Sequence, residues 1–131
     1  MTSTADDDLT LLGQPVRHPV EHLESFPAPE GCTRVRFTCD ELTSLCPITG
    51  QPDFYELKLS YRPKGYLIES KSLKLYLWSF RDEGIFAEDL AATLLKDLGG
   101  ACDPQEMTVD LTQQVRGGLQ IRTVVHQRGG R

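Results

Sequence analysis

Apolar and polar side chains alternate along four stretches of this chain, which is the pattern of β-strands that have one covered face. The clearest alternation covers residues 55–61, and a shorter one begins at Thr33 and includes residues 35–37. Two more alternating stretches, residues 107–111 and 119–125, lie toward the carboxyl end. The pattern therefore predicts two strands in the first half of the chain and two in the last third.

Between the two strand pairs the apolar spacing changes to that of helices. A first helix is predicted from residue 70 to about residue 81, with an apolar face formed by Leu73, Tyr76, Leu77 and Phe80. A second helix is predicted from about Phe86 to the glycine pair Gly99-Gly100, with an apolar face formed by Leu90, Leu94 and Leu98. Because the helices follow each other directly, we expect them to pack as a hairpin.

The element order ββααββ predicts an α+β fold, in which a helix pair covers one face of a four-stranded antiparallel sheet. Such a sheet leaves two edge strands with unpaired backbone groups, and pairing between subunits is one way to cover them. We therefore expect a homo-oligomer rather than a monomer.

The first thirty residues differ in composition from the rest of the chain. They contain the acidic run Asp6-Asp7-Asp8 and four prolines, with only short apolar groups between them. Residues 1–30 are therefore predicted to form an N-terminal arm that is partly disordered. Residues 31–131 are predicted to form a single domain, because 131 residues leave no room for a second one.

Composition argues against several classes of protein. The formal net charge of −5 is unfavourable for a broad nucleic-acid-binding surface, and no apolar run is long enough to cross a bilayer. The polar, acidic start lacks the features of a signal peptide, which favours a cytoplasmic protein whose four cysteines are free thiols. Neither the cysteines nor the three histidines have the spacing of a metal site, so no metal is expected.

The clearest candidate for chemistry is the segment of residues 46–54, where two prolines and a glycine exclude a regular helix and bend the backbone. The segment has a thiol, Cys46, at its start and a carboxylate, Asp53, near its end. A thiolate nucleophile needs a neighbouring group that takes and returns protons, and this pair can supply both. The competing interpretation is that Cys46 is a small buried side chain and Asp53 caps a turn.

Three other positions suit polar or anionic ligands. Ser70 and Lys71 stand at the start of the first helix, where backbone amides are free, and Arg116 stands beside the Gly117-Gly118 turn. Cations and free amides of this kind suit phosphate groups. Glu88, in the first turn of the second helix, can accept hydrogen bonds from an amidine-like edge. Helix capping, the helix dipole and hairpin geometry explain the same residues without any ligand.

Two segments closely resemble, in motif and in spacing, the short single-domain NADPH-dependent 7-cyano-7-deazaguanine reductases of queuosine biosynthesis. They are residues 37–54, FTCDELTSLCPITGQPDF, and residues 69–76, ESKSLKLY. The resemblance extends from about Leu23 through Gly118. It implies the tunnelling fold, or T-fold, in which ββααββ subunits join into a barrel, and the short members of the family suggest a decamer of two pentamers.

The resemblance also implies a reaction, the four-electron reduction of the nitrile of 7-cyano-7-deazaguanine to 7-aminomethyl-7-deazaguanine with two NADPH. Cys46 matches the nucleophile that forms a covalent thioimide, and Asp53 matches the proton donor. The positions that match the substrate site are Ile68, Glu69, Ser70, Ala87 and Glu88. The positions that match the NADPH site are Ser70, Lys71, Arg116 and Gly117.

One position departs from the family pattern. Ala87 stands where the family usually carries a histidine immediately before the substrate glutamate. The departure keeps open the reductase-like amidinotransferases, in which ammonia or an amine attacks the same thioimide, although those relatives lack the Glu-Ser-Lys-Ser segment present here. Since a fold does not fix a function, a non-catalytic deazapurine- or pterin-binding T-fold protein also stays open. A zinc cyclohydrolase on the same fold would need a set of cysteine and histidine ligands that this sequence does not offer.

Overall fold

The structure, a computed structural model, describes residues 22–129. Its strands are β1 (Ser25–Pro27), β2 (Val35–Leu45), β3 (Pro52–Arg62), β4 (Tyr66–Ile68), β5 (Glu106–Arg116) and β6 (Leu119–Arg128). Its helices are α1 (Ser70–Trp78) and α2 (Ala87–Cys102), separated by a short 3₁₀ turn, Ser79–Asp82. The long strands form one antiparallel sheet in the order β2-β3-β5-β6, so the predicted ββααββ order is confirmed.

One face of this sheet carries the core. The buried apolar residues of β3 and β5 alternate along each strand, and they are Tyr55, Leu57, Leu59, Tyr61, Met107, Val109 and Leu111. α2 contacts β5 and β6 through its predicted apolar face, while the 3₁₀ turn and α1 contact β2. The Tyr76 hydroxyl of α1 donates a hydrogen bond of 2.6 Å to Asp97 of α2, which joins the two helices over the sheet. The opposite face, with Glu56, Lys58 and Arg122, is polar.

The helix α2 ends later than predicted. The Gly99-Gly100 pair does not stop it, and the chain leaves the helix at Asp103, which adopts a left-handed conformation with φ of 47°. Gly99 is buried against β6, and a Cβ there would lie only 2.9 Å from Nε2 of Gln127. The glycine pair therefore lies inside the helix, where α2 packs against the flexible end of the Gln127 side chain, and does not terminate it.

A short ladder joins the end of the predicted arm to the rest of the molecule. β1 pairs with β4 in a separate two-stranded sheet, with Ser25 opposite Ile68. Sequence analysis missed β1 because three exposed residues ending in proline show no alternation. The predicted disorder of the arm falls mainly on residues 1–21, which lie outside the described part of the chain.

The outer strands of the main sheet are β2 and β6, and each has a single neighbouring strand among residues 22–129. Their unpaired edges are the feature from which the sequence pattern predicts an oligomer. Within the same residues, neither helix has the length and apolar character that crossing a bilayer requires.

Candidate active site

The segment that connects β2 to β3 is shorter than the sequence indicated. β3 already begins at Pro52, so Asp53 and Phe54 belong to a strand, and the connecting loop, called the nucleophile loop below, is residues 46–51. Proline is tolerated at the first residue of a strand, where its missing N–H matters least. Two backbone hydrogen bonds of 2.8 Å close the loop, from Cys46 N–H to the Gln51 carbonyl and from Gly50 N–H to the Cys46 carbonyl.

The loop creates an environment that favours the thiolate form of Cys46. The Thr49 hydroxyl and the backbone amides of Thr49 and Ile48 donate hydrogen bonds toward the sulfur, and the positive charge of Arg116 acts in the same direction. Together these groups outweigh the opposing effect of burial and lower the pKa of Cys46 from its ordinary value of 9.0 to about 7. The thiol is free and half-buried, as a reactive cysteine must be.

We predict that Cys46 reacts with iodoacetamide at a rate that rises with a midpoint near pH 7, because only the thiolate is alkylated. At neutral pH about half of the Cys46 thiols are ionised when the pKa is about 7, against about 1% for an unperturbed thiol. The measurement is the alkylation rate between pH 5.5 and about 9.5, with Cys46 identified by peptide mass.

Cys39 is the matched control, because it is also a free and half-buried thiol. Its alkylation in the same samples reports any general effect of pH on the protein. A rate at Cys46 that rises only in the range of ordinary thiols would contradict the hydrogen bonding described for the loop.

Asp53 and Arg116 form an ion pair beside the loop. Asp53 is 6% exposed and lies on β3, and the Arg116 Nη1 at the end of β5 donates to its Oδ1. The other terminal nitrogen, Nη2, donates to Gln51 Oε1 at 2.7 Å and lies 3.4 Å from Thr49 Oγ1. Arg116 thus contacts the carboxylate and the loop at once, and its charge also acts on Cys46.

The start of α2 is positioned against the same loop. The residues before the helix run beside the end of β2, where Leu45 N–H donates to the Glu83 carbonyl at 2.8 Å and Ile85 N–H donates to the Leu45 carbonyl at 3.1 Å. Gly84 lies against Pro47 of the nucleophile loop. These contacts bring the first turn of α2, which carries Glu88, close to Cys46.

Glu88 is exposed, and it makes no ion pair within residues 22–129. Burial raises the pKa of the Tyr55 hydroxyl, and the negative charges of Glu88 and Cys46 both add to that effect, so both groups lie near Tyr55. Ala87 has the opposite environment: it is 3% exposed and belongs to the core. Its methyl group therefore brings no polar group to the site.

The third group of predicted site residues lies at the start of α1. Glu69 caps the helix, and its carboxylate accepts hydrogen bonds from the backbone amides of Lys71 at 2.9 Å and Ser72 at 2.7 Å. These bonds lower the pKa of Glu69. The prediction that these amides are free to hold an anion is therefore wrong, because the chain's own carboxylate occupies them. The exposed cation Lys71 remains available.

Ser70 and Lys74 line a groove of about 320 Å³ between α1 and the outer strand β2. Its apolar wall includes Phe37, Leu73 and Trp78. Ile68, one residue before the Glu69 cap, is buried, and its backbone N–H donates to the Tyr61 hydroxyl at 2.9 Å. No hydrogen bond or ion pair in the described part of the chain joins this group to Cys46 or Asp53.

Sequence reasoning assigned no role to Thr49 and Gln51. Thr49 and Gln51 lie in the loop itself, but their contacts with Arg116 depend on β5, which is distant in sequence. No group of three metal-binding side chains occurs among residues 22–129.

Comparison with known proteins places this chain in a family. A family model described as QueF-like protein matches residues 52–130. A relative from Frankia casuarinae is 45% identical over 113 residues, covering 86% of this chain and 90% of the relative. One from Syntrophus aciditrophicus is 45% identical over 124 residues, covering 91% and 88%. Both are named NADPH-dependent 7-cyano-7-deazaguanine reductase.

A solved structure leads to the same family. The apo form of the archaeosine synthase QueF-Like superposes with a TM-score of 0.70 at 26% identity, covering 79% of this chain and 99% of that one. The fold is thus the α+β T-fold that the resemblance implied, with its helix pair on one face of the antiparallel sheet. The family match, the sequence relatives and the shared fold agree, and the chain belongs to the family of QueF-like proteins.

Proposed function

We propose that this protein reduces the nitrile of 7-cyano-7-deazaguanine to the aminomethyl group of 7-aminomethyl-7-deazaguanine, a step of queuosine biosynthesis, with NADPH as reductant. The observation that carries the proposal is Cys46, a thiol with a pKa of about 7 in a loop that Arg116 ties to Asp53. Relatives about 45% identical over most of the chain are named as enzymes of this reaction.

The chemistry begins with the thiolate. Transfer of the Cys46 thiol proton to the Asp53 carboxylate gives the thiolate, and its addition to the nitrile carbon converts an unreactive triple bond into the C=N of a thioimide. Asp53 then passes the same proton to the nitrogen. NADPH, when bound, supplies the hydrides that reduce this carbon. The half-buried position of Cys46 limits the access of water to the covalent intermediate.

We assign recognition of the base to Glu88. Its carboxylate is exposed, unpaired within the described chain and close to Cys46, and a carboxylate accepts two parallel N–H bonds such as those of an amino-pyrimidinone edge. Ala87 contributes no side-chain polar group, so Glu88 carries this recognition without the neighbouring histidine of the family. Ile68, Glu69 and Ser70 are proposed to line the base through their backbone and through Ser70.

The groups proposed to hold NADPH are Ser70, Lys71, Arg116 and Gly117. Lys71 is an exposed cation, Ser70 lines the groove beside α1, and these donors suit the phosphates of a dinucleotide. Within one chain, Ser70 and Lys71 at the start of α1 are separate from Cys46 and its loop. A complete site therefore needs two subunits, and the unpaired edges of β2 and β6 are where subunits can join. We propose a homo-oligomer, a decamer of two pentamers.

The proposal also includes the domain organisation of the chain and its location in the cell. Residues 31–131 form one catalytic domain, preceded by the arm of residues 1–30, part of which contacts β4 through β1. A cytoplasmic location suits the mechanism, because a cysteine nucleophile must stay reduced.

A second candidate is an amidinotransferase. It is favoured by the structural similarity to the archaeosine synthase QueF-Like. Such an enzyme would form the same thioimide on Cys46 and pass it to ammonia, with no reductant. We prefer the reductase because the chain carries the Glu-Ser-Lys-Ser segment at residues 69–72, and because the relatives at higher identity carry the reductase name.

One assay separates the candidates. The purified protein is mixed with 7-cyano-7-deazaguanine and either NADPH or ammonia, and the products are identified by mass. We expect oxidation of two NADPH for each nitrile consumed and an aminomethyl product, because reduction of a nitrile to an amine takes four electrons. An amidine formed only with ammonia would establish the transferase instead. Absence of any product or covalent adduct would contradict both.

A further inference from the structure

Arg116 contacts the nucleophile loop and the neighbouring Asp53 at several atoms, and phosphate binding does not explain these contacts. One guanidinium bonds Asp53 Oδ1 and Gln51 Oε1 and approaches Thr49 Oγ1. Its planar set of five N–H donors is suited to holding several acceptors in one geometry. Two of these acceptors, Thr49 and Gln51, lie in the loop, and Thr49 is also the residue whose hydroxyl bonds the Cys46 sulfur.

The backbone directs Arg116 toward these partners. Gln113 pairs with Ile121 and Arg116 pairs with Leu119, so β5 has one more residue than β6 between these pairs. This β-bulge turns the Arg116 side chain to the face of the sheet on which Asp53 lies. The two-residue turn Gly117-Gly118, with φ of 61° and 79°, closes the hairpin directly after it. Arg116 therefore lies on the β5–β6 hairpin rather than in a loop.

We propose that Arg116 is a positioning residue for formation of the covalent thioimide, the step that precedes any use of NADPH. It holds the nucleophile loop closed, with the Thr49 hydroxyl at the Cys46 sulfur, and it holds Asp53 as a carboxylate oriented toward the reacting groups. The inference rests on the proposed function and adds to it a role for Arg116 that is separate from phosphate binding.

The step balances without a reductant. Where Cys46 is a thiol, its proton passes to the Asp53 carboxylate as the sulfur attacks the nitrile carbon. The new C–S bond forms as one π bond of the nitrile opens onto nitrogen, and that nitrogen takes the proton back from Asp53. The products are a neutral thioimide and the original carboxylate, so Arg116 pairs with the same charge before and after the step.

The test measures this step alone. Wild type, Arg116→Ala and Arg116→Lys proteins are mixed with 7-cyano-7-deazaguanine in the absence of NADPH, and the adduct is followed by intact mass. We expect the alanine variant to form adduct about 10²-fold more slowly, because small misplacement of reacting groups has effects of this size. The lysine variant should recover part of the rate, since an ammonium can pair with Asp53 but cannot bridge it to Gln51.

Arg122→Ala is the matched control. Arg122 lies on β6 of the same hairpin and forms a bidentate ion pair with Asp110, at 2.9 Å and 2.8 Å, on the polar face of the sheet. Its removal deletes an arginine–aspartate pair of the same kind without touching the loop. We expect its adduct rate to equal that of the wild type.

A second variant tests the loop without removing the arginine. Gln51→Ala deletes one acceptor of Arg116 and leaves the ion pair with Asp53, so adduct formation should slow by less than in Arg116→Ala. Circular dichroism reports whether each variant is folded. If Arg116→Ala is not folded, the adduct rate of Gln51→Ala provides the test instead.

Two outcomes would overturn the inference, and they are distinguishable. If folded Arg116→Ala and Gln51→Ala both form adduct at the wild-type rate, while NADPH oxidation is lost in Arg116→Ala, then Arg116 serves the cofactor alone. If the wild type itself forms no adduct, the proposed function fails and the inference fails with it.

Discussion

We expect Cys46→Ala protein to bind 7-cyano-7-deazaguanine but to form no covalent adduct and to oxidise no NADPH. The methyl side chain keeps the loop's backbone hydrogen bonds, which involve Cys46 N–H and C=O rather than its sulfur. Binding is retained because the groups proposed to recognise the base lie on other elements. Turnover falls by about 10⁶-fold, the order of loss seen when an enzyme loses a covalent nucleophile. Calorimetric titration measures the binding, and intact mass and NADPH absorbance measure the chemistry.

Cys39→Ala is the control for this experiment. Cys39 is a free, half-buried thiol on β2 that faces the groove beside α1, so its loss removes a cysteine without altering the nucleophile loop. We expect its adduct formation to match that of the wild type. Residual turnover in Cys46→Ala at more than a trace would show that the nitrile is reduced without a thioimide, and would remove the main basis of the proposed function.

We expect Asp53→Asn protein to form the thioimide slowly and to turn over poorly. Asparagine has nearly the same size as aspartate and can still accept a hydrogen bond from Arg116, but it can neither take the thiol proton nor protonate the nitrile nitrogen. Loss of a positioned acid–base group lowers rates by about 10² to 10⁴-fold. The rate of adduct formation and the steady-state rate with NADPH should both fall, while binding of the base changes little.

Asp110→Asn provides the comparison. Asp110 is also a carboxylate on a central strand, and it is also paired with an arginine, but it faces the polar side of the sheet. Its substitution tests what the loss of an aspartate–arginine pair does to the sheet alone. Equal rates in Asp53→Asn and wild type would argue that a proton from solvent suffices and that Asp53 serves only to hold Arg116.

Much of the fold was predictable because the strands and helices each follow their own period. The alternation in β3 and β5 and the helical spacing of the apolar residues in α1 and α2 come directly from which face each element buries. The predictions from sequence that were wrong concern positions where contacts between distant segments decide the local structure. The Gly99-Gly100 pair indicated a helix end, but the helix continues to Cys102, with Gly99 buried against Gln127 on β6, which is distant along the chain.

The outer strand β2 is a second place where tertiary structure, and not the local sequence pattern, decides which residues are buried. As far as Cys39 its half-buried residues are Val35, Phe37 and Cys39, whereas beyond Cys39 the buried residues are Leu42 and Ser44. An irregularity in pairing with β3 between Cys39 and Leu42 changes which alternate positions face the core. The alternation of apolar and polar residues could be followed in the sequence only as far as Thr38, because the bulge then changes which alternate residues face the core.

The sequence by itself determined the α+β element order and the resemblance to the family, and its motifs and spacing indicated Cys46 and Asp53 as the candidate nucleophile and carboxylate. These depend on local periodicity and on residue type. Only the tertiary structure decided that the Arg116 side chain meets Asp53 and Gln51, that the Glu69 carboxylate occupies the first amides of α1, and that Ala87 is buried. Each of these depends on register, bulges and packing between segments distant in sequence, where a shift of one residue moves a side chain to the opposite face.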